Sequence, residues 1–148
     1  MTAVLLLTAC DSERSKPDSA VGQQAWAFAD AYFNYDFKRA VELVTPESAR
    51  WLQFAASNIT QQDIDLLNSQ DEPTTCDVGS IQQVNDSTFY ATVSVTNYMQ
   101  RDSIGQQMHV VDEGVFRLPV VRRDGKYYVR MEGLPRSERQ SRAEAVDE

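Results

Sequence analysis

Residues 19–37 read SAVGQQAWAFADAYFNYDF, and this stretch decides the fold. Its apolar residues recur at Ala25, Phe28, Ala29, Tyr32 and Phe33, the three-and-four spacing of one helix face. Trp26, Phe33 and Phe37 widen that face beyond an ordinary surface stripe. A helix with so much aromatic circumference must be wrapped by something to leave water. The second half of the chain supplies strands that can do so. The expectation is an α+β fold, with this helix lying in the concave face of a curved antiparallel sheet.

Working outward, Asp18 or Ser19 can cap the helix, and Asn34 to Asp36 lie near its end. Residues 37–44 then give a short second helix with Ala40, Val41 and Val44 inward. Thr45 and Pro46 read as a helix start, opening a third helix over 46–58 that carries Trp51, Leu52, Phe54 and Ala55. Thr60 can cap a fourth over 61–68. The loop SQDEPTT, 69–75, ends the helical half.

Beyond it the period changes to two. A first strand covers 76–84. The clearest strand is 88–99, where Phe89, Ala91, Val93 and Val95 alternate with Tyr90, Thr92, Ser94 and Thr96. A third covers 108–122, with Phe116, Leu118 and Val120 on one face. Pro119 suggests an edge position or a bulge, because it cannot donate to a ladder. Arg123-Asp124-Gly125-Lys126 is a tight hairpin turn. The last strand, 126–133, has Tyr127, Val129 and Met131 facing in. Helices followed by an antiparallel meander is the segregated α+β order.

The chain has 148 residues, 42% of them apolar, which suits one compact domain with tails. A net charge of −8 excludes a nucleic-acid binder, which needs a basic footprint to neutralise phosphates. It equally disfavours electrostatic adhesion to anionic lipid. One histidine and one spare cysteine make no recognisable ligand set, so no metal or other cofactor is expected.

The N-terminus, MTAVLLLTAC, places Leu7-Thr8-Ala9-Cys10 after a short apolar run. This resembles the bacterial lipobox, where cleavage occurs before a cysteine carrying a diacylglyceryl group. The resemblance implies a lipid on Cys10, which anchors the protein to a membrane without a spanning helix. The run is short and lacks a preceding Lys or Arg, which points to a start upstream of Met1. Residues 1–9 are thus read as a truncated signal segment and 10–18, CDSERSKPD, as a tether. The domain is expected over 19–134 and a flexible tail over 135–148. The location implied is the cell envelope of a Gram-negative bacterium, facing the periplasm or the surface. Cys10 and Cys76 permit a disulfide on count alone, but lipidation gives Cys10 another use.

Three segments, AWAFADAYFNYDF, FKRAVELV and LPVVRRDGKYYVRMEG, carry a further resemblance. The chain from Ser19 to Leu134 resembles the nuclear transport factor 2-like superfamily, also called cystatin-like or SnoaL-like, and in particular its small lipoproteins of unassigned function. The resemblance implies a sheet wrapping the first helix into a cone, often with a pocket at the open end. Members include isomerases, dehydratases, scaffold subunits and binding modules, so the fold leaves the function open.

The enzyme members use pocket carboxylates with Tyr or His partners. The candidates here are Asp30, between Trp26 and Phe33 on the helical wheel, and His109, with Asp112 near it. No motif supports them, and a solvated helix position is the plainer reading of Asp30. Trp26, Tyr32, Trp51, Phe54, Tyr98 and Phe116 can line an apolar pocket. The plainer reading of most of them is core, and Tyr98 with Met99 are the better candidates for the pocket mouth. The leading expectation is a non-catalytic module that binds a small hydrophobic ligand, a peptide or a partner protein. A small lyase or isomerase, and a homodimer through the exposed sheet face, are the alternatives.

Overall fold

In the computed structural model the described residues are 19–103 and 105–139. The lipobox with Cys10, the tether and the last nine residues of the expected tail lie outside them.

Helix α1 spans Ala20–Phe33, with Ser19 Oγ accepting from the Gly22 N–H at 3.0 Å as its cap. Tyr35 then takes a left-handed backbone, φ 64°, which turns the chain out of the helix. Asp36 Oδ1 accepts from the Arg39 N–H and caps α2, Phe37–Ala40. The second helix is shorter than its apolar pattern. It tightens to a 3₁₀ turn over Val41–Leu43, and Val44 is extended. The reason is tertiary: Val44 bridges Val129 in parallel, and the Thr45 N–H donates to the Val129 carbonyl at 3.0 Å. A helical residue 44 would forfeit both.

The third helix begins later than expected. Pro46–Ser48 is a 3₁₀ turn, and α3 covers Ala49–Ser57. Thr45 is no side-chain cap. Its hydroxyl lies 2.6 Å from that of Ser48, both residues are fully buried, and Ser48 Oγ accepts from the Met131 N–H at 2.8 Å. This buried pair ties the helical half to the end of the sheet. Helix α4, Gln61–Asn68, opens on a capping box in which Thr60 and Asp63 exchange side-chain and backbone bonds.

The strands β1 (Thr75–Asn85), β2 (Thr88–Gln100), β3 (His109–Arg123) and β4 (Lys126–Val129) form one antiparallel sheet in chain order. A register shift between Val78 and Ile81, around Gly79, bends β1. Asp124 and Gly125, at φ 54° and 80°, make the two-residue turn between β3 and β4 that right-handed strand twist favours. The sheet curves around α1, which packs against all four strands. Ala25, Phe28 and Ala29 of α1, with Ala91, Val93 and Val95 of β2, are entirely buried between them. The fold is therefore α+β, with the helices in the concave face.

Pro119 stands on an interior strand, not at an edge. Its carbonyl accepts from the Arg130 N–H at 2.9 Å, so its missing N–H faces the side where β4 would have continued. The ladder stops there, which is why β4 ends at Val129 instead of reaching 133. The chain leaves the sheet over 130–136 and rejoins it at Ser137, which is buried and bridges Phe116.

The alternation of β2 also breaks. Asn97 adopts φ 56°, its carbonyl taken by Thr74 Oγ1 at 2.6 Å. Below it Ala91, Val93 and Val95 face α1; above it Tyr98 and Met99 are both buried. Tyr98 folds over Gly114 of β3, where a Cβ would stand 2.9 Å from the ring Cζ. Glycine is needed there for space.

Candidate functional site

Where the chain leaves β4 at Arg130, the open end of the sheet holds a cavity of about 840 Å³. Its walls come from the end of α3, the end of β2 with the residues after it, and the segment 130–136. Phe28, Phe33, Tyr98 and Phe116 close the inner end. Their rings pack edge to face and tilted, Phe33 to Phe116 at 4.7 Å and Tyr98 to Phe116 at 5.3 Å. Burial raises the Tyr98 hydroxyl above its ordinary pKa, while a hydrogen bond from Ser137 pulls the other way. Tyr98 is thus floor and core, whereas Met99 stands in the wall.

Three methionines meet at this cavity: Met99, Met108 and Met131. The chain has four, and the remaining one is Met1. No spacing in the sequence brings them together. The end of β2, the residue before β3 and the segment after β4 do so through the register of the sheet. Phe54, 44% exposed at the end of α3, completes the apolar wall.

Beside the cavity Arg101 acts as a post. Its guanidinium donates to Asp63 Oδ2 at 2.7 Å, to the Asn58 carbonyl at 2.8 Å and to the Gln106 carbonyl. Burial works to raise the Asp63 pKa, but the Thr60 N–H and the Arg101 guanidinium outweigh it and hold the carboxyl below its ordinary value. Tyr35 lies in the field of this pair. Burial, then Asp63, pushes its hydroxyl above the ordinary range, and its Oη is buried with no hydrogen-bond partner among the described residues. The Asp63–Arg101 pair is not legible in the sequence because the partners are 38 residues apart. The capping box at Thr60 was the one signal that Asp63 was fixed.

Of the six pocket residues expected from sequence, Tyr32, Phe54, Tyr98 and Phe116 line the cavity. Trp26 and Trp51 do not. Trp26 is half-buried and donates from Nε1 to the Cys76 carbonyl at 3.1 Å. Trp51 packs on the core beneath the Arg50 guanidinium, 5.0 Å from its ring centroid. Asp30 lies away from the cavity, with its carboxylate on Arg39 at 3.1 Å. His109 is exposed and 3.3 Å from Asp102, and Asp112 is exposed. Neither Asp30 nor His109 lines the cavity. Burial pushes the Cys76 thiol up to about 12, so it stays protonated and inert.

Among the described residues no group of three or more His, Cys, Asp or Glu is placed to hold a metal ion. No helix of the described residues is long and apolar enough to cross a membrane.

No family model matches the chain, and no curated protein matches it. Among solved structures it is similar to one titled "Ntf2 like protein involved in plasmid conjugation", at 14% identity and a TM-score of 0.42. That match covers 79% of this chain and 48% of the other, so the chain spans about half the length of that protein.

Proposed function

We propose that this is a lipid-anchored envelope protein whose single domain holds a small apolar molecule in the cavity without reacting it. The observation that carries the reading is the meeting of Met99, Met108 and Met131 at one cavity over an aromatic floor. Methionine is unbranched and polarisable, so a wall built of it can mould to more than one apolar shape. The two acid–base candidates that would favour a lyase or isomerase, Asp30 and His109, stand elsewhere. The same proposal includes membership of the nuclear transport factor 2-like superfamily, supported by the order of helices and strands and by the helix-filled concave sheet.

The test is native mass spectrometry of the full protein purified from its own host, paired with methionine oxidation before and after extraction of any bound mass. A co-purifying apolar compound whose removal speeds sulfoxide formation at Met99, Met108 and Met131 is the expected result. No bound mass, and no apolar probe that slows oxidation of the three, would sink the binding reading. The anchor is tested separately by Cys10→Ala in the native gene. The variant is expected in the soluble fraction, and its persistence in membranes would refute lipidation at Cys10.

A further inference from the structure

Each charged side chain lining the cavity is already engaged. Arg101 binds Asp63 at 2.7 Å, Arg130 binds Glu132 at 2.9 Å, and Asp102 stands 3.3 Å from His109 at the exposed rim. Arg117 lies over the Tyr90 ring on the outward face of the sheet, and Arg136 has an interaction of its own. A charged ligand would therefore enter an apolar wall with no counter-ion waiting for it, and a desolvated lone charge is strongly unfavourable.

Tyr32 supplies a second, independent observation. It lines the cavity beside the floor rings, stacked on Phe28 at 5.6 Å and edge-on to Phe33 at 5.1 Å. Its hydroxyl makes no hydrogen bond among the described residues, yet it is not sealed off as the Tyr35 hydroxyl is. By contrast the Tyr98 hydroxyl is engaged with Ser137 and Gln100, and the Asn58 amide donates to the Phe54 carbonyl. Burial, and then the Tyr35 hydroxyl, push that of Tyr32 well above its ordinary pKa, so it stays protonated and able to donate. A donor held in apolar surroundings without an acceptor favours any ligand oxygen that reaches it.

From these two observations we infer that the ligand is an uncharged apolar molecule with a hydroxyl or carbonyl oxygen, which Tyr32 Oη hydrogen-bonds while the methionines hold the hydrocarbon body. This rests on the binding reading above and narrows it to a chemical class.

The experiment compares three probes with one ring system on the full-length protein at neutral pH: naphthalene, 2-naphthol, which is neutral and carries an oxygen, and 2-naphthoate, an anion. Each is titrated by its displacement of phenylnaphthylamine, a neutral apolar dye. The naphthol is expected to bind about fivefold tighter than naphthalene, the scale of one net hydrogen bond. The naphthoate is expected to bind more weakly than the naphthol. Tyr32→Phe should bring the naphthol-to-naphthalene ratio toward one and leave the naphthalene affinity unchanged, which shows the cavity intact. Tyr90→Phe, on the outward face, should keep the ratio. If the naphthoate binds as tightly as the naphthol, or Tyr32→Phe keeps the ratio, the inference falls while the binding reading stands. If neither the dye nor any of the three probes binds, the binding reading falls with it.

Discussion

Replacing Arg101 by Met removes the positive end of the buried pair and keeps most of the side-chain volume. Asp63 would then hold a charge with 4% side-chain exposure, facing the space that Arg101, at 17%, had occupied. Breaking a buried pair from one side costs about 3–5 kcal/mol, and the partial exposure of Arg101 puts the expected loss near 3 kcal/mol. The guanidinium bonds to the Asn58 and Gln106 carbonyls go as well, so the residues after β2 lose their tie to the helical half. Urea unfolding of the full protein, followed by far-ultraviolet circular dichroism, measures the loss. Adding Asp63→Asn removes the stranded charge while keeping an acceptor for the Thr60 N–H, so the double variant should recover a third or more of it.

The pH dependence gives a second check. The folded Asp63 carboxyl titrates below its ordinary value of 3.8, so its contribution is complete above that pH. It is lost as pH falls through the lower folded value. The gap between wild type and Arg101→Met should therefore be widest near neutral pH and narrow in acid. A loss below about 1 kcal/mol at neutral pH, the scale of an exposed pair, would refute the claim that the pair is buried and coupled. So would costs for the two substitutions that simply add.

Tyr35→Phe should stabilise the protein by about 1 kcal/mol in the same unfolding assay, since it deletes a buried hydroxyl that has no partner among the described residues and leaves the ring. Gly114→Ala should cost about 1–3 kcal/mol by driving a methyl into the Tyr98 ring, with a near-ultraviolet dichroism change from the displaced tyrosine. Ser48→Ala should cost about 1–3 kcal/mol, because it strands the Met131 N–H in the core. The Arg123 side chain, hydrogen-bonded to Glu47, holds that carboxyl at about 2 against an ordinary 4.5. The stabilisation it gives should be whole above about 4.5 and fade as pH drops toward 2, and Glu47→Gln should abolish that dependence in an acid-unfolding titration.

The helices and strands were legible where local pattern and tertiary demand agree. The spacing from Ala25 to Phe33 marks α1, and the strict alternation from Phe89 to Val95 marks β2, because each apolar residue there meets the same core. The reading failed where one residue answers to a distant partner. Val44 looks helical among FKRAVELV, yet it is extended because Val129 needs it. Asn97 flips the alternation, so Tyr98 goes to the floor although period two would turn it outward. Thr45 looks like a cap and is a buried bond to Ser48. The cavity residues were harder still. Aromatic residues near the open end could be named in advance, but Met99 lies at the end of β2, Met108 precedes β3 and Met131 follows β4, and only the register of the sheet assembles them.

Pro119 shows how one such signal sets the site. Its meaning in sequence was an interruption of a ladder, and the structure fixes which ladder. The lost donor faces β4, so regular pairing ends at Val129; Arg130 keeps one bond to the Pro119 carbonyl, and the chain joins no strand again until Ser137 meets Phe116. Between those two points the chain must bow away from β3. That bow carries Met131 and Arg130, and it makes one wall of the cavity. Ser48 then draws Met131 inward through its backbone N–H, which sets how far the bow closes over the aromatic floor. A proline that looks like a defect in a central strand thus leaves the open end of the sheet unfilled, and the buried Thr45–Ser48 pair keeps it from falling open.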